Sequence, residues 1–179
     1  MNMEIKKTIF NNLLEIKFKR HNDIRGSFIK IFNKANSKKF KNECYENYLS
    51  QSKKGAARGL HAQLGKYAQD KLIYCIKGKL LDIVIDIRKN SKTFGKVHKK
   101  ILDSNKSVAL FIPKGFMHGI IALKNETILT TYCSKKYNPS KEIGIKLNSI
   151  PIKLPRLKLI FSKKDKKLPI YSEFIKKIK

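Results

Sequence analysis

KLIYCIKGKLLDIVIDI, Lys71 to Ile87, is the stretch on which the fold turns. It contains two apolar runs, 71–76 and 79–87, parted by Lys77-Gly78. Both are too short for typical helices and rich in Ile, Leu, Val and Tyr, which suit a pleated, buried surface. The Lys-Gly step predicts a hairpin between them. Working outward, the same kind of run recurs at 97–102, 108–112, 119–123 and 127–133 downstream, and at 8–10, 14–18, 27–32, 45–51 and 58–63 upstream. Asp23-Ile24-Arg25-Gly26 reads as a turn. A short helix over 34–40, capped by Asn33, and a terminal helix over 170–178 complete the reading. Past Pro139 the strand pattern thins, and Pro151 and Pro155 mark extended chain. Many short strands punctuated by Gly, Pro, Asn and Asp predict an all-β sandwich or jelly-roll barrel with short peripheral helices.

At 179 residues the chain is expected to form one domain, 1–179, with one well-buried core. No apolar run approaches the length of a membrane span, and the first ten residues lack the apolar segment of a signal peptide. Cys44, Cys75 and Cys133 form no CxxC pair; their odd number and wide spacing point to reduced thiols and a cytoplasmic location. The 41 basic residues against 13 acidic ones raise the possibility of a polyanion-binding module. The lysines are spread from Lys6 to Lys179 without an aromatic-interleaved stripe, so the expectation is a solvated basic surface that attracts small diphosphates, with no specific nucleic acid.

Arg58-Gly59-Leu60-His61-Ala62-Gln63, with Lys71 ten residues past the histidine, gathers a guanidinium, an imidazole and an ammonium along what reads as a second hairpin. That trio suits removal of a carbon-bound proton beside an anionic ligand. It suits a metal poorly. His61 is followed by Ala62 and Gln63 rather than by a second His with a nearby Glu, so no metal and no cofactor are expected.

Several segments in one order resemble the dTDP-4-dehydrorhamnose 3,5-epimerases, a family of cupin-type jelly rolls. They are Asp23 to Gly26, GAARGLHAQ (Gly55 to Gln63), AQDKL (Ala68 to Leu72), DIVIDIR (Asp82 to Arg88), SKTFG (Ser91 to Gly95), IPKGFMHG (Ile112 to Gly119), Tyr137-Asn138-Pro139 and FSKKD (Phe161 to Asp165). The resemblance implies epimerisation of a nucleotide-linked 4-keto-6-deoxy sugar at C3, C5 or both, in rhamnose-type deoxysugar biosynthesis. His61 would be the base and Asp165 the carboxylate that orients it. Lys71 would stabilise the enolate, and Asp82 would lie inside the barrel near Lys71. Arg25 and Arg58 would grip the diphosphate, and Gln63, His118 and Tyr137 would line the substrate site. The family further implies a homodimer in which the Arg25 region completes the neighbour's site.

The departures are as informative. The family's acid is a tyrosine on the strand after the HG motif, where gap-free counting places Thr131, with Tyr132 beside it. One residue along a strand turns a side chain to the other face, so Tyr132 reaches the site only through a bulge. Three arrangements stay open: Tyr132 substitutes, water or another group reprotonates a single carbon, or the enzyme is impaired. Lys30, Glu46 and Tyr48 stand where Glu, Gln and Asn are usual. The opposite charges suggest that Lys30 and Glu46 pair within the chain or across a dimer and alter base recognition. Leu147 and Leu154 stand where the family often has tryptophan. Two rival functions remain: a 4-keto sugar 3,4-ketoisomerase on the same barrel, and a non-catalytic basic module.

Overall fold

The computed structural model describes residues 3–32 and 44–178; the expected helix over 34–40 with its Asn33 cap lies outside the described residues. The strands are Met3–Lys7 (β1), Leu14–Phe18 (β2), Arg20–Asp23 (β3), Gly26–Ile29 (β4), Glu46–Ser52 (β5), Ala57–Gln63 (β6), Lys71–Lys77 (β7), Lys79–Asp86 (β8), Val97–Asp103 (β9), Val108–Ile112 (β10), Phe116–Ala122 (β11), Thr127–Cys133 (β12) and Glu142–Gly144 (β13). They form a six-stranded sheet β1-β2-β10-β7-β12-β5, a five-stranded sheet β13-β6-β11-β8-β9, and the hairpin β3-β4. All the pairings within these sheets are antiparallel. Among the described residues one α-helix, Tyr171–Ile178 (α1), follows the last strand. The architecture is the cupin-type jelly roll.

Both hairpins expected around Lys71 are overturned. β7 belongs to the six-stranded sheet, whereas its neighbours in sequence, β6 and β8, belong to the five-stranded one. Lys77-Gly78 is therefore a corner at which the chain changes sheets. Gly78 adopts φ +81°, and a Cβ there would lie 2.7 Å from Thr127 Oγ1, so the corner excludes a side chain. The reason lies in the partners. β7 pairs with β10 and β12, and β8 with β9 and β11, which gives each run two flanking strands instead of one. Residues 8–10 are likewise not a strand: Thr8 Oγ1 donates to the carbonyls of Phe10 and Leu13 and accepts from Phe10 N–H, turning the chain from β1 into β2. The Asp23 to Gly26 turn and the terminal helix form as read.

Alternation sorts the core into three layers. Ile73 and Cys75 of β7, Leu80 and Val84 of β8, and Leu110, Ile112, Phe116, Ile120 and Leu129 fill the space between the sheets. Leu81, Ile83 and Ile85 point the other way, with Met117 and Ile121, under a cover made by Ile145, Leu147, Ile150 and Phe174. Leu72, Tyr74, Ala109 and Phe111 form the outer layer of the six-stranded sheet with Ile16 and Phe18. A sheet covered on both faces explains why residues 80–87 read as an almost unbroken apolar run. Leu147 and Leu154 take part in the cover of the five-stranded sheet, as packing residues.

Candidate active site

A cleft of about 760 Å³ opens between the sheets. On its five-stranded wall, His61 of β6 stands directly across from His118 of β11. His61 Nε2 lies 2.8 Å from Asp165 Oδ1, and the Asp165 side chain is nearly buried. Gly59 N–H points at the second oxygen of Asp165 from 3.5 Å. The chain brings Asp165 here by lacing Ile160 to the start of β6. Ala57 N–H donates to Ile160 O and Ile160 N–H to Gly55 O, both at 2.9 Å. Asp165 N–H then donates to Ser162 Oγ at 3.0 Å. Thus the lysine-rich run 163–167 turns its one acid inward. Gly144 of β13 flanks His61, and a Cβ on it would lie 2.9 Å from the His61 ring and 2.7 Å from Leu60 O.

His118 has its own acid. Its Nε2 lies 2.8 Å from Oδ2 of the fully buried Asp82. The hydrogen-bond partner of Asp82 is therefore His118, whereas Lys71 reaches it only through longer-range charge. Four residues on, Asp86 faces the same way and serves the frame instead: Arg88, Ser91 and Thr93 all donate to it. Burial alone would raise its pKa, but those donors outweigh burial and hold it down at about 2.

The six-stranded wall carries Lys71, Thr131, Cys133, Glu46 and Tyr48. Burial pushes the Lys71 ammonium below the ordinary lysine value, opposed by the charges of Cys133, Glu142 and Asp82. Lys71 makes no ion pair among the described residues. Cys133, a free thiol, has its pKa raised by burial. Arg58 bonds Ser52 Oγ at 3.1 Å and Gln51 O at 3.0 Å at the cleft edge. Gln63 accepts from Asn138 N–H, while its buried Nε2 has no protein partner, a donor left for a bound oxygen atom. Tyr137 lines the rim and donates its N–H to Glu46 Oε1 at 3.1 Å.

Three residues singled out from the sequence lie off this cleft. Tyr132 is the first correction. β12 runs in unbroken register from Leu129 to Cys133, so Thr131 faces the cleft and Tyr132 the outer layer, where its ring stacks on Phe32 with centroids 5.4 Å apart. The one register shift of β12 falls before Leu129, too early to turn Tyr132 inward. Arg25 sits exposed at the β3-β4 turn, paired with Asp23 at 2.7 Å. Lys30 is exposed too and forms no ion pair with Glu46 within the chain. Conversely, the sequence reading gave no role to Cys133 or Tyr48. The period-2 series Leu129, Thr131, Cys133 and Glu46, Tyr48, Ser50, all on the cleft face, was the available signal.

Among the described residues, no three His, Cys, Asp or Glu side chains converge as a metal-ligand set. No described helix is long and apolar enough to cross a membrane. A jelly roll with carboxylate-backed imidazoles at its mouth has the constitution of a cupin-type isomerase.

Known proteins make this specific. Residues 7–173 match the family model for dTDP-4-dehydrorhamnose 3,5-epimerase. The chain is 34% identical to the dTDP-4-dehydrorhamnose 3,5-epimerase of Escherichia coli, over 97% of each chain. Among solved structures, it superposes with a TM-score of 0.92 and 28% identity on the Legionella pneumophila dTDP-6-deoxy-D-glucose-3,5-epimerase in complex with dTDP-4-keto-L-rhamnose, covering 99% of this chain and 97% of that one. It also superposes with a TM-score of 0.90 and 30% identity on the Bacillus anthracis dTDP-4-dehydrorhamnose 3,5-epimerase with TDP and PPi bound, covering 94% of this chain and 99% of that one. The chain belongs to the dTDP-4-dehydrorhamnose 3,5-epimerase family.

Proposed function

We propose that this protein epimerises a dTDP-linked 4-keto-6-deoxy sugar at C3, C5 or both, as a step of rhamnose-type deoxysugar biosynthesis. The observation that carries the reading is the His61–Asp165 contact at 2.8 Å on one wall of the cleft, with Lys71 on the facing wall. A carboxylate only accepts hydrogen bonds, so Asp165 holds the proton on His61 Nε2 and leaves Nδ1 with the lone pair. That nitrogen takes the proton from the carbon next to the ketone. The ammonium of Lys71 faces the enolate oxygen that forms, and its poor solvation strengthens the attraction. His118, fixed by Asp82, and the unpaired Gln63 amide bind the sugar; Arg58 takes the diphosphate, with Tyr137 and Glu46 at the rim. Arg25 and Lys30, off the cleft of their own chain, serve the cleft of a second copy in a homodimer. The three free thiols suit the cytoplasm.

Incubation with a dTDP-4-keto-6-deoxyhexose in heavy water tests this. Deuterium enters at C3, C5 or both with inversion, and His61→Ala abolishes the entry. A wild-type enzyme that neither labels nor inverts the sugar refutes the reading.

A further inference from the structure

Inversion needs a proton removed from one face of the carbon and another returned on the opposite face. The base stands on the five-stranded wall, so the acid belongs on the six-stranded one. The tyrosine considered from the sequence fails there: Thr131 occupies the inward position of β12, and Tyr132 faces away. The threonine hydroxyl sits on Cβ and does not extend across the cleft. Directly across from Thr131, on the neighbouring strand β5, stands Tyr48. Its side chain points into the cleft with those of Glu46 and Ser50. It stands beside β12, with the side chains of Thr131 and Cys133 near enough to its hydroxyl to shift its pKa. Neighbouring strands are about 4.8 Å apart, a distance a phenol spans. The small Thr131 side chain leaves the room that the phenol crosses.

We propose that Tyr48 is the catalytic acid of this enzyme, delivering its proton from β5 to the carbon face opposite His61. The proposal rests on the epimerase reading and names the residue that completes it. The electrostatics agree. Burial above all keeps the phenol protonated well above neutral pH; the Thr131 side chain works the other way. In the step, the enolate carbon takes the phenolic hydrogen, the C–H bond forms as the O–H bond breaks, and the negative charge passes from the enolate to the phenolate. The phenolate remains on the wall that carries the Lys71 ammonium. Tyr48 is 46% exposed, so water restores its proton, while His61 releases to water the proton it removed. The sum is an isomerisation with no co-reactant.

The test separates removal of the proton from its return. Tyr48→Phe is compared with the wild type in heavy water, following both solvent deuterium in the recovered substrate and the inverted product. Inversion is expected to fall about 10²–10³-fold. Exchange into unreacted substrate persists within about fivefold, because His61 still removes and returns hydrogen on its own face. The double variant Tyr48→Asn with Thr131→Tyr moves the phenol one strand inward and restores inversion to within about tenfold of wild type, since acid catalysis needs the group and not the strand that bears it. Undiminished inversion by Tyr48→Phe overturns the proposal and leaves the epimerase reading intact. Loss of exchange together with inversion overturns it as well, since Tyr48 would then only shape the wall. A wild type with neither exchange nor inversion removes the epimerase reading itself, a separate failure.

Discussion

The two walls of the cleft hold their polar groups by opposite means. On the five-stranded wall each imidazole has its own carboxylate at 2.8 Å, His61 with Asp165 and His118 with Asp82. On the six-stranded wall Lys71 has no ion pair among the described residues, and Tyr48, Thr131 and Cys133 stand side by side. Burial there moves every shifted group toward its neutral form: it lowers Lys71 and raises Cys133 and Tyr48. One wall is thus organised before a ligand arrives. The other holds groups whose charge burial makes costly. A base needs a fixed tautomer, whereas an oxyanion stabiliser gains from poor solvation in the resting state.

Breaking the organised wall is expected to have the largest effect. Asp165→Asn keeps the shape of the side chain but lets it offer an amide N–H to His61, which favours the wrong tautomer. Turnover should fall about 10³–10⁴-fold with little change in KM, as in other carboxylate-backed imidazoles. Steady-state kinetics on the dTDP-4-keto sugar measures this, and a drop under tenfold would mean that the dyad does not set the tautomer.

On the opposite wall, Lys71→Met should cost about 10²–10³-fold, the scale of one lost oxyanion donor. The wild-type pH profile sharpens the point. The ammonium is needed in its charged form, and its pKa lies below the ordinary 10.5, so activity is lost as pH rises through that lowered value. The alkaline limb should therefore begin below pH 10.5 and be missing from the residual activity of Lys71→Met. A limb unchanged by the substitution would assign it to another group.

The smallest effect on chemistry belongs to Asp86, which shares a strand and a sheet face with Asp82. Its pKa, about 2 against an ordinary 3.8, is depressed in the folded state. Its contribution is therefore present above pH 3.8 and is lost as pH falls toward 2. Asp86→Asn should lower stability by about 2 kcal/mol at neutral pH and flatten the acid limb, read by urea unfolding across pH. Turnover should stay within about twofold, because its donors belong to the frame and not to the cleft. A large loss of turnover would erase the distinction between the two aspartates.

Much of this was legible beforehand because it is local. The strands from 45 to 133 lie within a few residues of their expected bounds, since β-branched runs and turn formers act over short distances. The position of His61 and the family came from motifs in fixed order. Asp165 was harder, because a single acid in a lysine run looks solvated until Ile160 is tied to the start of β6. Tyr48 was visible as a departure from the family, but its meaning depends on Thr131 lying beside it, a pairing between residues far apart in the chain.

By itself, then, the sequence determined that this chain is a β protein of alternating strands with a histidine, His61, in a family-specific motif. Periodicity and turn chemistry are properties of neighbouring residues, so no distant contact was needed to read them. Only the tertiary structure decided that β6 and β7 stand on opposite sheets, that Lys77-Gly78 is a corner, and that Tyr48 and not Tyr132 lines the cleft. Which sheet a strand joins depends on the pairing and burial offered by remote strands, and a one-residue difference in position reverses the face a side chain presents.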